Sequence, residues 1–154
     1  MDAELRRIPG EATLADAHAV RRTVFIQEQG VSEAEEMDGR DEDAVHIVAY
    51  TPAGRNSGGQ TDEGRPVGTA RLRVPESGVA KPERVAVLES CRGEGIGEQL
   101  MAAIEDEART QGCTQARLHA QTAVEGFYRE LGYETTSDVF QEANIPHVEM
   151  EKRL

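Results

Sequence analysis

The segment RGEGIG, Arg92–Gly97, is the feature that most limits what this chain can fold into. Three glycines at alternate positions, Gly93, Gly95 and Gly97, separate the apolar run RVAVLESC from a helical pattern. Ile96, Leu100, Ile104 and Ala108 recur four apart and form one stripe of a helix. A helix that starts here leaves about four backbone N–H groups without an intrahelical partner. Its dipole adds partial positive charge at the same end. Glycine lets a ligand approach that end closely, because it lacks a Cβ and tolerates positive φ. Arg92 adds a cation. Together these groups form an anion site at a strand-to-helix turn.

The charge balance sharpens that reading. The chain has 17 basic and 29 acidic residues, a net charge of −12. A polyphosphate needs a locally positive spot in such a protein, and a general nucleic-acid surface is excluded, because that affinity comes largely from Lys and Arg on phosphates. A Walker loop ends in G-K-[ST], whereas Gly97 is followed by Glu98-Gln99. The dinucleotide fingerprint is G-x-G-x-x-G in a βαβ unit, and this is G-x-G-x-G late in the chain. A glycine turn that merely lets a helix pack tightly on a strand stays open on the loop alone.

The rest of the chain reads as a mixed α/β domain. ELRRIP is a first strand, and TLADAHAVRRTVFIQEQ is a helix that Gly30 can stop. AVHIVAY (44–50), PVGTARLRV (66–74) and ERVAVL (83–88) are strands, followed by the helix after the glycines and a strand at ARLHA (116–120). Thr122-x-x-Glu125 reads as a capping box opening a short helix. Val124, Phe127, Tyr128 and Leu131 share the face of that helix, and Gly132 caps it. HVEMEKRL closes the chain as a strand. The breaker-rich segment 51–66 lies between two strands and reads as a long, flexible hairpin loop, not a linker. With 154 residues, one domain is expected over 1–154.

No apolar run reaches the roughly 18 residues of a membrane span. The N-terminus has no signal-peptide pattern, so a cytoplasmic protein without membrane partners is expected. Cys91 and Cys113 form no C-x-x-C pair, and no metal site is expected. They read as free thiols of a reducing compartment. Two lysines, Lys81 and Lys152, stand against 15 arginines among many carboxylates, a composition resembling that of halophilic proteins.

At this point a resemblance can be stated. RGEGIG, following RVAVLESC and opening an amphipathic helix, resembles the acetyl-CoA loop R/Q-x-x-G-x-G/A of the GNAT superfamily of N-acetyltransferases. EGFYRELGY (125–133) resembles that family's later F-Y-x-x-L-G-F/Y segment. The order and separation of the two blocks fit, and the likeness runs over nearly the whole chain. VFIQEQGV, EMDGRDEDAVHIVA and VGTARLR further resemble a small subgroup of single-domain members.

The resemblance implies a mixed, mostly antiparallel central sheet with splayed strands flanked by helices. It implies acetyl-CoA as co-substrate and a small-molecule or peptide amine as acceptor, attacked directly in a ternary complex. Backbone groups of Val85 and Val87 would bond the pantetheine arm. The N–H groups from Arg92 through Gly93, Glu94, Gly95 and Ile96 to Gly97 would hold the pyrophosphate, with Phe127 and Tyr128 beside the cofactor. Tyr128 matches the position of a tyrosine that protonates the leaving thiolate; packing beside Phe127 and Leu131 is its other reading. An alkyl amine is almost wholly protonated at neutral pH, so a group must accept its proton. Glu28, His46, His147 or a water chain could do so. His46 interrupts an apolar strand and can equally be a satisfied core histidine. His18 reads as a solvated helix-face residue and His119 as core packing. SEAEEMDGRDED (32–43) is either an amine-recruiting wall or a solvated acidic face. A non-catalytic acyl-CoA sensor on the same fold is the rival function, and a nucleotide-binding domain a more distant one. A homodimer is compatible with either.

Overall fold

The computed structural model describes residues 2–52, 54–55, 61–62 and 64–154, with the backbone alone at 54–55 and 61–62. Among the described residues, ten strands run in chain order: β1 Glu4–Pro9, β2 Val45–Tyr50, β3 Gly54–Arg55, β4 Thr61–Asp62, β5 Pro66–Glu76, β6 Val79–Val87, β7 Gln115–Gln121, β8 Glu134–Thr135, β9 Phe140–Glu142 and β10 Ile145–Arg153. The helices are α1 Ala15–Arg21, α2 Glu33–Glu36, α3 Ile96–Thr110 and α4 Glu125–Glu130, with a π-helical segment Arg22–Glu28 continuing α1. The main sheet has the order β1-β2-β5-β6-β7-β10-β8, with β9 also paired to β10. Its pairs are antiparallel except β6–β7, which is parallel. This is the mixed α/β architecture expected from the sequence.

Strand periodicity places the core. In β7, Ala116, Leu118 and Ala120 are buried while Gln115, Arg117, His119 and Gln121 are half-buried on the other face. The buried side packs with Ile47, Leu72, Val148 and Met150 against the α3 stripe Ile96, Leu100, Ile104 and Ala108. On the opposite face α1 sets Ala17 against Val48 and Tyr50, and Val20 and Val24 meet Ala86.

One irregularity positions the site. Thr69 pairs with Ala86 but Arg71 pairs with Glu83, so Arg84 and Val85 stand opposite Ala70 alone. Arg84 adopts φ +54 there, a left-handed conformation that a side chain disfavours. Such a bulge bends and twists its strand. β6 pairs with β7 only at Val79–Gln115 and Ala80–Ala116, and beyond those residues the two strands part.

Several expectations need correction. The helix over 13–29 is not uniform: its second half is π-helical, with Gln29 N–H bonded to Val24 O at 3.2 Å. The expected Gly30 stop is present, at φ +74 with its N–H on Ile26 O at 3.1 Å. The Thr122–Glu125 capping box does not form. Thr122–Val124 is a 3-10 turn, and α4 begins after Val124 with no side-chain cap. The Glu125 carboxylate instead accepts from Arg129 at 2.9 Å and from Thr135. Val124 is exposed and leaves the shared face. Gly132 does end α4, at φ +99, with Gly132 N–H on Arg129 O and Tyr133 N–H on Tyr128 O. Strands β8 and β9 and the Ser77–Gly78 hairpin were not anticipated. In the 51–66 loop, β3 and β4 pair antiparallel. Residues 53, 56–60 and 63 lie outside the described residues, and with them the expectation of flexibility.

Candidate active site

Where β6 and β7 part, a cleft of about 990 Å³ opens. Val85 and Val87 line it from β6, and Arg92, Gly93, Gly95, Ile96 and Gly97 from the glycine turn. Phe127 and Tyr128 line it from α4, and Glu28 and His147 from the π-helical end and β10. Thus nine of the sequence-derived residues with backbone or side-chain roles at a cofactor, plus two base candidates, meet in one cavity. Glu94 is exposed and is not among the lining residues.

The three glycines have different reasons to be glycine. A Cβ on Gly97 would sit 3.1 Å from Phe127 Cζ, so this residue permits close packing of α3 on α4. Gly93 and Gly95 are left-handed, at φ +81 and +83. A Cβ on Gly93 would meet no heavy atom within 4 Å, so its backbone faces open space. Gly95 caps α3 without a side-chain bond. The amides of Ile96, Gly97 and Glu98 belong to the first helical turn and have no intrahelical acceptor. The turn therefore serves packing and also leaves first-turn amides without intrahelical acceptors beside the cleft.

Arg92 is already engaged. Its Nη1 and Nη2 each donate to Glu28 at 2.8 Å, and its Nε donates to Val87 O at 2.9 Å. The Arg92 bonds hold the Glu28 carboxyl below its ordinary range, and Glu28 in turn raises Arg92. With both oxygens bonded, Glu28 is a weak proton acceptor in this state. The next residue, Gln29, accepts from Gln121 Nε2 at 2.8 Å, tying the π-helical end to β7 across the cleft.

Tyr128 is 8% exposed and packs edge-to-face on Phe127 and Tyr133, with ring centroids 5.0 and 6.0 Å apart. Burial pushes its phenol above the ordinary value, so it is protonated at neutral pH. The neighbouring Tyr133 hydroxyl donates to Glu105 at 2.9 Å. The Tyr128 hydroxyl bonds to none of the described residues.

The two histidine base candidates separate. His147 Nδ1 donates to Ile145 O at 2.6 Å, which leaves Nε2 as its basic atom; Nε2 lies 3.6 Å from Glu142 Oε2. His46 is fully buried, bonded to Asp41 O at 3.0 Å, and not among the cleft residues. Burial lowers its pKa, so it is a neutral core histidine remote from the cavity. His119, expected to pack in the core, lines the cleft instead: its Nδ1 donates to Glu142 Oε1 at 2.9 Å. The strand period carried that signal, since His119 alternates with the buried Leu118 and Ala120. His18 is not simply solvated, as its Nε2 lies 3.0 Å from Asp41 Oδ2.

The 32–43 segment is neither a free acidic wall nor a wholly solvated face. Glu36 and Asp41 are buried, and Arg21 donates to both at 2.5 and 2.8 Å. Arg71 donates twice to Asp38 at 2.8 Å and once to Asp41 at 3.0 Å. Carboxylates so neutralised cannot recruit an amine. Among the described residues, no group of three or more His, Cys, Asp or Glu side chains could hold a metal ion. No described helix is long and apolar enough to cross a membrane.

Comparison with known proteins matches residues 25–154 to the family described as "Acetyltransferase (GNAT) domain". The chain is 40% identical over 153 residues to the uncharacterised protein YyaT of Bacillus subtilis, covering 97% of this chain and 95% of that protein. It is 38% identical over 143 residues to the uncharacterised N-acetyltransferase YjcF of the same organism, covering 92% and 94%. The crystal structure of an acyl-CoA N-acyltransferase from Pseudomonas aeruginosa superposes with a TM-score of 0.77 at 26% identity, covering 98% of this chain and 99% of that one.

Proposed function

This chain belongs to the GNAT acetyltransferase family, and from that premise we propose that it is an N-acetyltransferase that moves an acetyl group from acetyl-CoA to an amine. Acyl transfer from an acyl-CoA is the family's chemistry; the acetyl group and the amine acceptor are what we propose. One observation supports it above the others: beyond Ala80 no described strand pairs with the β7-facing edge of β6, and past Val87, whose carbonyl accepts from Arg92, a 3-10 turn Glu89–Cys91 leads to a helix N-terminus with open, left-handed glycines. A long ligand with a diphosphate and an extended amide-bearing arm matches that combination.

Acetyl-CoA supplies the thioester. The backbone of Val85 and Val87 bonds its amide-bearing arm as an added strand would, and the 92–97 amides hold its diphosphate. Such binding fixes the carbonyl in the parted strands and converts acyl transfer into an effectively unimolecular step. His147 Nε2 takes the proton of the incoming ammonium, directly or through water. The neutral amine forms the new C–N bond, the C–S bond breaks, and the electron pair leaves on sulfur. Tyr128 gives its proton to that thiolate, and the newly acylated nitrogen sheds its surplus proton, which restores the phenol through water. Burial keeps the phenol protonated at neutral pH; it is a weaker acid than a thiol, and loss of the acidic proton from nitrogen drives the transfer.

Release of CoA in the presence of an amine panel, alongside thermal shift with acetyl-CoA, tests the proposal. Turnover with at least one amine is expected. A thermal shift without turnover favours the acyl-CoA sensor, and a shift with ATP but not with CoA favours a nucleotide-binding domain.

A further inference from the structure

In a chain of net charge −12, a cluster of ion pairs beside the cleft has an excess of cations; Arg73, Lys81, Arg84, Glu36, Asp38 and Glu83 line the cleft, while Arg21, Arg71 and Asp41 are buried and do not line it. Arg21, Arg71, Arg73, Lys81 and Arg84 meet only four carboxylates, Glu36, Asp38, Asp41 and Glu83. Each carboxylate is shared by at least two cations. Glu83 alone faces Arg71, Arg73 and Lys81. At the rim, exposed Glu35 and exposed Arg40 offset one another, so the excess remains.

Two of these cations line the cavity. Arg84 has its Nε buried and without a hydrogen bond, 3.5 Å from Glu36 Oε1, while its Nη2 donates to the carbonyls of Glu35 and Glu36 at 3.2 and 3.1 Å and to Asp38 Oδ2 at 3.4 Å. Burial and then repulsion from Arg71 lower the Arg84 pKa, against the pull of Asp38 and Glu36. Its side chain is aimed there by the left-handed backbone of the bulge, a strained conformation of the kind that clusters at ligand sites. Lys81 also lines the cleft, and among the described residues its ammonium has Glu83, at 3.7 Å, as its one ion-pair partner. On the β9–β10 side the charge reverses: Glu142 stands between His119 and His147.

We propose that the acceptor is an amine that also carries a carboxylate, an amino acid or a short peptide, with the carboxylate against Lys81 and Arg84 and the amine toward His147. The inference rests on the transferase reading above. The carboxylate completes the unshared charge, and the two ends of a zwitterion match the two signs in the cleft. A polyamine lacks the group that the Lys81–Arg84 wall needs.

The test is CoA release at saturating acetyl-CoA and low salt with matched acceptors: amino acids, their amides, the decarboxylated amines, and dipeptides with free or amidated C-termini. Acids are expected to exceed amides and decarboxylated amines in kcat/KM by about tenfold or more, as loss of a charged hydrogen-bond partner predicts. The dipeptide arm distinguishes a free amino acid from a peptide source. Lys81→Gln is expected to bring the acid-to-amide ratio down to a few fold, and Lys81→Arg to keep it high. Equal use of acids and amides, or an unchanged ratio in Lys81→Gln, overturns the proposal. If no amine releases CoA although CoA binds, the transferase reading fails separately. Calorimetry of N-acetyl amino acids and their amides on the CoA-loaded protein then decides the subsite: binding of the acids alone supports it, and equal or absent binding overturns it.

Discussion

Arg92 and Glu28, 64 residues apart in sequence, form a two-pronged ion pair, with both guanidinium Nη atoms 2.8 Å from the carboxylate oxygens. The pair joins the glycine turn to the π-helical end that overhangs the cleft. A diphosphate bound at the turn competes with Glu28 for the same guanidinium. Removing each partner should therefore act in opposite directions. Arg92→Gln is expected to weaken CoA binding roughly tenfold. Glu28→Gln is expected to tighten it by about a few fold, because the cation is released from its internal partner. Calorimetric titration of both variants checks this, and a loss of affinity in Glu28→Gln contradicts the competition.

Tyr128 should matter to turnover more than to binding. Its hydroxyl has no partner among the described residues, so Tyr128→Phe removes a proton donor and leaves the ring packing on Phe127 and Tyr133. General acid catalysis contributes about 10²–10⁴-fold. A fall in kcat of at least tenfold with an unchanged CoA dissociation constant is expected. An unchanged kcat reduces Tyr128 to a packing residue.

The glycines predict a contrast. Gly97→Ala puts a methyl group 3.1 Å from Phe127 Cζ, and should cost about 1–3 kcal/mol of stability through overpacking. Gly93→Ala meets nothing, so its stability cost is the strain of a left-handed backbone, about 1–2 kcal/mol. Its effect on CoA affinity should be the larger one, since the methyl group projects into the space beside the anion site. Chemical denaturation and calorimetry on both variants separate packing from ligand clearance.

Acid should unfold the protein through the arginine cluster. Burial alone would raise the carboxyls of Asp38 and Asp41. The bonds from Arg71 to Asp38, and from Arg21 and Arg71 to Asp41, more than reverse this, and both end well below the usual carboxylate range. A depressed folded pKa means that the unfolded chain binds more protons as pH falls. Their contribution is complete above the unfolded value of about 3.9 and drains away below it. Urea midpoints should drop steeply once the pH falls below about 4, and less so in Asp38→Asn. A flat profile over that window contradicts the assignment.

The features legible in the sequence are those whose cause is local. The α3 stripe, the glycine turn, the Gly30 and Gly132 stops and the long strands each follow from spacing within a few residues. What escaped depends on distant partners. The carboxylates of 32–43 look like a solvated run until Arg71 and Arg84, some 30–50 residues away, neutralise them. The Thr122 cap gave way to a 3-10 turn over Thr122–Val124. Strands as short as β8 and β9 carry too few residues for alternation to register. Glu142 entered the cleft through one of them. His119 lies in the cleft and not in the core, and of the two readings of His46 the core one holds, because the choice between core and cleft depends on which sheet face each helix covers.

The central claim is that the turn from Arg92 to Gly97 binds the diphosphate of coenzyme A while β6 carries its arm. Calorimetric titration with coenzyme A of the wild type and of Gly93→Ala, with pantetheine as a ligand lacking the diphosphate, tests it most directly. The account predicts measurable binding of coenzyme A to the wild type, at least tenfold weaker binding of pantetheine, and a comparable loss in Gly93→Ala. Coenzyme A binding no tighter than pantetheine, or unaffected by Gly93→Ala, would contradict it.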